Sequence, residues 1–132
     1  MQMIFPIIIV KPEEAPIYVF TEKKFGLISK GHKGFYNSGT IYDAAGHQYV
    51  INGTNKVTPA TFLESLKYFQ PMQRVDVNAT FSQEVSLSAL QHELEVHVSR
   101  HEAYWVIKDT IPELIDTINS AGNFTKLIKL FY

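Results

Sequence analysis

A chain of 132 residues that is 45% hydrophobic and 13% aromatic carries enough apolar material for one core, which disfavours disorder and a disulfide- or metal-stapled miniprotein. Its lack of cysteine excludes disulfides, thiolate catalysis, zinc–thiolate clusters and iron–sulfur ligation, and suits a reducing compartment, so a cytoplasmic location is expected. A formal net charge of −1 provides no global field for nucleic acid or an anionic membrane, and neither is expected as a partner.

The run Met3 to Val10 is rich in β-branched residues. No basic segment precedes it, no small-residue cleavage site follows it, and it is far shorter than the roughly 20 apolar residues of a membrane span, so it reads as a buried first strand. Pro6 within it predicts an edge position or a bulge, because proline cannot donate to a ladder. The proline-bounded turn Lys11 to Pro16 leads into a return strand, Ile17-Tyr-Val-Phe20, whose period of two puts Ile17 and Val19 on one face and Tyr18 and Phe20 on the other. Thr21 suits the start of a helical turn through Phe25, and Gly26, Gly31 and Gly34 predict a mobile connection. Thr40 to Asp43 and His47 to Ile51 then flank Ala44-Ala-Gly46, a turn of hairpin length.

Thr58-Pro59 has the form of a cap and first helical residue, and Phe62, Leu66 and Phe69 recur behind it, which predicts a helix from about Pro59 to Tyr68. Strict alternation from Arg74 to Phe81 predicts a half-buried strand with Val75, Val77, Ala79 and Phe81 inward. From Ser86 the period becomes helical, through Leu87, Leu90, Leu94 and Val98. Trp105 and Val106 read as a connecting segment. Thr110-Ile-Pro-Glu113 is a capping box that opens a helix through Leu114, Ile115 and Ile118, closed by Gly122, and a last helix after Asn123 carries Phe124, Leu127, Ile128 and Phe131. The expectation is a single α+β domain over residues 1–132: an antiparallel or mixed sheet, built from N-terminal hairpins and a central strand, covered by C-terminal helices.

The densest polar stretch is Gln91 to Glu102. Glu93, His97 and His101 are successive i, i+4 positions that rise along one helical stripe, so they form a candidate metal set with an open coordination position, as in a small metal-binding enzyme. Against this, three ligands stacked on one helix converge poorly on a tetrahedral centre. His92 and His97 are five apart and diverge by about 140°, unlike the zinc-protease spacing. A helix rim with one partly buried histidine is the stronger reading, and no metal or cofactor is expected.

Gly31-His-Lys-Gly34 and Lys33-Gly-Phe35 echo short RNA-binding signatures, but Tyr36 stands where the second wants a small residue. No strand–Gly-x-Ser-x-Gly–helix element supports a triad, and Asp43, Asp76 and Glu84 are scattered. Tyr42, Asp43, His47 and Tyr49 on the second hairpin are candidate partner contacts, since aromatic and charged groups anchor interfaces.

The segments Ile4-Phe-Pro-Ile-Ile-Ile-Val10, Ile17-Tyr-Val-Phe20 and Thr40-Ile-Tyr-Asp43 with Gly46 and Tyr49, about the first fifty residues, resemble small bacterial immunity proteins encoded beside polymorphic or contact-dependent toxins. The resemblance implies a non-catalytic inhibitor that binds one cognate toxin domain and blocks its active site or substrate groove. It transfers no interface residues. The near-neutral charge points away from a nuclease target, whose inhibitors are commonly acidic. A ligand-binding regulatory domain is the remaining alternative.

Overall fold

The computed structural model of the protein describes residues 2–29, 32, 34–59, 66–68, 72–106 and 110–132. Four short strands come first: β1 (Ile7–Val10), β2 (Ile17–Phe20), β3 (Leu27–Ser29) and, after a 3-10 turn at Phe35–Asn37, β4 (Thr40–Tyr42). The long strands β5 (His47–Pro59) and β6 (Met72–Glu84) follow, then helices α1 (Leu87–Arg100), α2 (Glu102–Trp105), α3 (Ile111–Ser120) and α4 (Phe124–Lys129). The strands form one sheet in the order β2-β1-β4-β5-β6-β3, antiparallel at every step. The α+β class expected from the sequence is the one adopted, with an antiparallel rather than a mixed sheet.

This order forces the sheet to curl. Strands β2 and β3 lie at opposite edges, which a flat sheet of six strands would hold about 24 Å apart. Yet the chain passes from one to the other through residues 21–26, folded into turns in which the amides of Lys24 and Phe25 donate to Thr21 O. The two edges therefore approach each other, and the sheet has an inner and an outer face, each with its own core.

Alternation along β1 sorts the residues. Ile7 and Ile9 point inward with Ile28, Tyr36, Ile41, Tyr49 and Ile51, and Ile8 points outward to the helices. The inner core is finished by aromatic rings from Phe5, Tyr18, Phe20, Phe25, Phe35 and Tyr36, several meeting edge to face, such as Phe25 and Tyr36 at 5.6 Å and 90°. This arrangement favours the ring quadrupoles. Tyr36 Oη accepts from the Gly26 amide at 3.0 Å, and burial pushes the phenol's pKa up to about 12. Lys11, read from the sequence as part of a polar turn, is buried: its ammonium lies 4.3 Å above the Phe35 ring, donates to Phe35 O and sits 3.8 Å from Glu14 Oε2.

The outer core combines Ile8, Ile17 and Tyr42 with Leu90, Leu94, Val98, Trp105, Ile118, Leu127 and Ile128. Caps define the helices: Ser86 accepts from the Ala89 amide, Thr110 from Glu113 and Asn123 from Lys126. The end of α3 differs from expectation, because the C-cap is Ala121 in extended conformation rather than a left-handed Gly122. The carbonyls left open there are met by a buried side chain on α1. Gln91 Nε2 donates to Ile118 O and Ala121 O, each at 3.1 Å, and more weakly to Asn119 O, so an amide replaces the glycine motif in satisfying helix-end acceptors.

Three further expectations are corrected. Pro6 precedes β1, and β1 is an interior strand buried on both faces, so no proline interrupts the ladder. Thr58 and Pro59 do not open a helix but pair with Arg74 and Gln73 at the end of β5, where ladder pairing outweighs the local capping signal. Of the helix expected behind them, residues 66–68 are helical with Leu66 exposed, and the rest lies outside the described residues. Trp105 ends the short helix α2, buried against the outer core.

Candidate functional site

The second hairpin begins from Asp43, a carboxylate with 0% exposure. Burying such a charge is costly unless it is hydrogen-bonded. Here Oδ1 accepts from the amides of Ala45 (2.9 Å) and His47 (2.8 Å), while Oδ2 accepts from the Ile4 amide (3.1 Å) and faces His47 Nδ1 at 3.1 Å. Gly46, at φ +82°, closes the turn where an added Cβ would meet the Phe124 ring at 2.7 Å. Asp43 and His47 thus tie the turn to the N-terminal segment.

Tyr49 is 2% exposed in the inner core, and its hydroxyl has no hydrogen-bond partner among the described residues. Tyr42 is 7% exposed on the opposite face. Of the four candidate contacts Tyr42, Asp43, His47 and Tyr49, three are therefore buried and His47 is partly so. The hairpin presents instead the residues of the other parity. Gln48 lies opposite Tyr42 on the outer face, Val50 opposite Thr40, and β6 continues the surface with Thr80 beside Val50 and Gln83 beside Gln48.

The helices pack over β1, β2 and β4 and leave this part of β5 and β6 open. Val50 is 41% exposed, and Asn52, Asn78, Thr80 and Gln83 are exposed as well. Cross-strand hydrogen bonds order the side chains, Gln83 Nε2 to Gln48 Oε1 at 3.1 Å and Asn52 Nδ2 to Thr80 Oγ1 at 2.5 Å. A register shift between Ile51 and Gly53, with Gly53 at φ +118°, marks a bulge beside Asn52, and bulges re-aim side chains at sheet surfaces. The signal in the sequence is the outward parity: once Val75, Val77 and Ala79 face inward, Asn78 and Thr80 must face out.

Where this face meets α1 there is a cleft of about 340 Å³, lined by Tyr42, Gln48, Gln83, Leu90, His92 and Glu93 among others. Burial pushes the Tyr42 phenol up to about 12, and the Glu93 carboxylate adds to the effect. The hydroxyl is therefore a neutral hydrogen-bonding group at physiological pH.

The stripe Glu93, His97 and His101 is divided between two tasks. Glu93 belongs to the cleft. His97 Nε2 lies 3.0 Å from Ala15 O, His101 Nε2 lies 2.8 Å from Pro12 O, and Trp105 Nε1 donates to Ala15 O at 3.1 Å. Spaced at i, i+4, the three rings clamp the β1–β2 turn. Each Nε2 that donates to a carbonyl carries its proton, which leaves the lone pair of that ring on Nδ1. Among the described residues no group of three histidines, aspartates or glutamates is placed to hold a metal ion. Burial lowers the His97 pKa, opposed by the Ala15 hydrogen bond and reinforced by His101. The Gly31 to Gly34 segment lies partly outside the described residues.

No protein-family model matches the chain, and no curated protein or solved structure matches it either. Among the described residues no helix is long and apolar enough to cross a membrane.

Proposed function

We propose that the protein acts by binding: a non-catalytic immunity protein of the bacterial cytoplasm that holds and neutralises a cognate toxin domain. The observation that carries this reading is the open outer face of β5 and β6, where Gln48, Val50, Asn52, Asn78, Thr80 and Gln83 offer uncharged hydrogen-bonding groups around an exposed aliphatic side chain. Interface centres are depleted of charge, and uncharged polar groups that find hydrogen-bond partners there avoid the larger cost of burying an ion. The face stands on a ladder whose inner side is packed, so it is already shaped before a partner arrives and loses little freedom on binding. The resemblance of the N-terminal strands to immunity proteins supports the choice of a toxin as partner.

Co-expression with a candidate toxin domain from a neighbouring gene tests the reading through growth and pull-down. Rescue of growth and a stable complex are expected, and Val50→Glu on the open face abolishes both while the circular dichroism spectrum is retained. A protein that neither binds nor protects, or that turns over a small substrate, would overturn the proposal.

A further inference from the structure

We infer that the cleft between α1 and the β5–β6 ribbon is a socket for a guanidinium group, receiving an arginine side chain of the protein partner. This deepens the binding role proposed above and rests on it. The cleft brings together a carboxylate and a hydroxyl that are both open to a donor. The Glu93 carboxylate has no ion-pair partner among the described residues. The Tyr42 hydroxyl, on a side chain more than nine-tenths buried, lines the same space and makes no hydrogen bond within the described residues.

The remaining walls fit a planar, multiply donating ligand. Gln83 Nε2 is committed to Gln48 Oε1, which leaves Gln83 Oε1 as a third acceptor beside the carboxylate and the phenol. A guanidinium presents five N–H donors in a fixed fork that can serve a carboxylate and neighbouring acceptors together. An ammonium is a point charge without that fork. Val85, half-buried, and Ala89, exposed, also line the cleft and offer apolar surface for the hydrocarbon stem. His92 completes the rim. A volume of about 340 Å³ is near the lower limit of ligand sites, which run from about 300 to 1,000 Å³, and suits one side chain better than a cofactor. The cleft is continuous with the open face through Gln48 and Gln83, so a partner lying on that face reaches it directly.

The intact protein, labelled with nitrogen-15, is titrated with N-acetyl-arginine amide and, separately, with the neutral isostere N-acetyl-citrulline amide. Saturable shifts are expected at the Glu93 backbone amide and the Gln83 side-chain amide with arginine and not with citrulline. Glu93→Gln weakens the response about tenfold, the size expected for a charge-assisted contact, and Tyr42→Phe weakens it less. Glu93 is on the exposed side of α1, so its variant keeps the fold. Equal shifts with citrulline, no saturable shift with arginine, or an unchanged response in Glu93→Gln overturns the socket. Failure here with toxin capture intact removes the socket and leaves the binding role standing. Arginine binding that depends on Glu93, with no capture of the toxin, supports the socket and removes the immunity role.

Discussion

The sheet is finished differently in its two halves. Strands β1, β2 and β4 are packed on both sides, by aromatic rings within the curl and by helices outside, whereas much of β5 and β6 keeps its outer face open. In the first half β1 reads as an unbroken apolar run, and its polar neighbours are absorbed: Lys11 against Phe35, Asp43 by three amides and His47. In the second half the strands alternate, and the polar side chains of one parity remain available. Chemically conspicuous residues thus belong to the covered half, and the plain amides of glutamine and asparagine form the surface a partner can reach.

The contrast is broken most forcefully from the covered half. Leu94→Ala empties a fully buried site under the helices and is expected to cost about 2–5 kcal/mol, read as a lower denaturant midpoint; an unchanged midpoint would mean that the helix layer is not packed as described. Gln91→Ala leaves Ala121 O without its donor and Ile118 O with only the long bond from the Ala121 amide, and should cost about 1–3 kcal/mol, with faster amide exchange concentrated in α3 and α4. Thr110→Ala removes the cap at the other end of that helix, at about 1 kcal/mol, and a calorimetric melt measures it.

His97 supplies a smaller effect with a definite sign. Its pKa is lowered in the fold chiefly by burial, so the unfolded chain binds the proton more readily. The stabilisation is complete above the ordinary histidine value of 6.5 and is lost as the pH falls through it. His97→Gln should flatten the decline in unfolding midpoint between pH 8 and pH 5; an equally steep decline would assign the dependence to other groups. In the open half Asn52→Ala should change stability by less than about 0.5 kcal/mol while weakening capture of the partner, which separates surface function from core support.

The fold class, both hairpins, the β6 parity and the helical run from Leu87 to Val98 were legible in the sequence, because periodicity reports directly which face is buried. Helix starts at Ser86, Thr110 and Asn123 were legible too, since capping is local chemistry. The extent of β5 was not: Thr58-Pro59 satisfies a helix-start pattern, and only the distant Gln73 and Arg74 make it strand. Nor was the role of Gln91, whose acceptors belong to a helix beginning twenty residues later in the chain. The candidate contacts Tyr42, Asp43 and Tyr49 were sought by residue type, whereas exposure follows parity and the reach of the helices. The cleft was half visible, in Tyr42 and Glu93 separately, because nothing local joins a strand to a helix so far along the chain.

The position of β3 bears on how the molecule assembles. The strand before it, β2, forms the opposite edge and the strand after it, β4, lies inside the sheet, while its ladder partners, Met72 to Arg74, follow the second hairpin and the full length of β5 in the chain. Pairing β3 therefore means closing a long loop for a three-residue strand, a large entropic cost against few hydrogen bonds. The seam between the edges, where the Phe20 and Phe25 rings meet at 6.1 Å, should be the last part of the sheet to form and the first to open. Hydrogen exchange at Leu27 to Ser29 would then report an opening free energy below that of global unfolding, and the domain would breathe at its seam while the ladder beneath the open face stays closed.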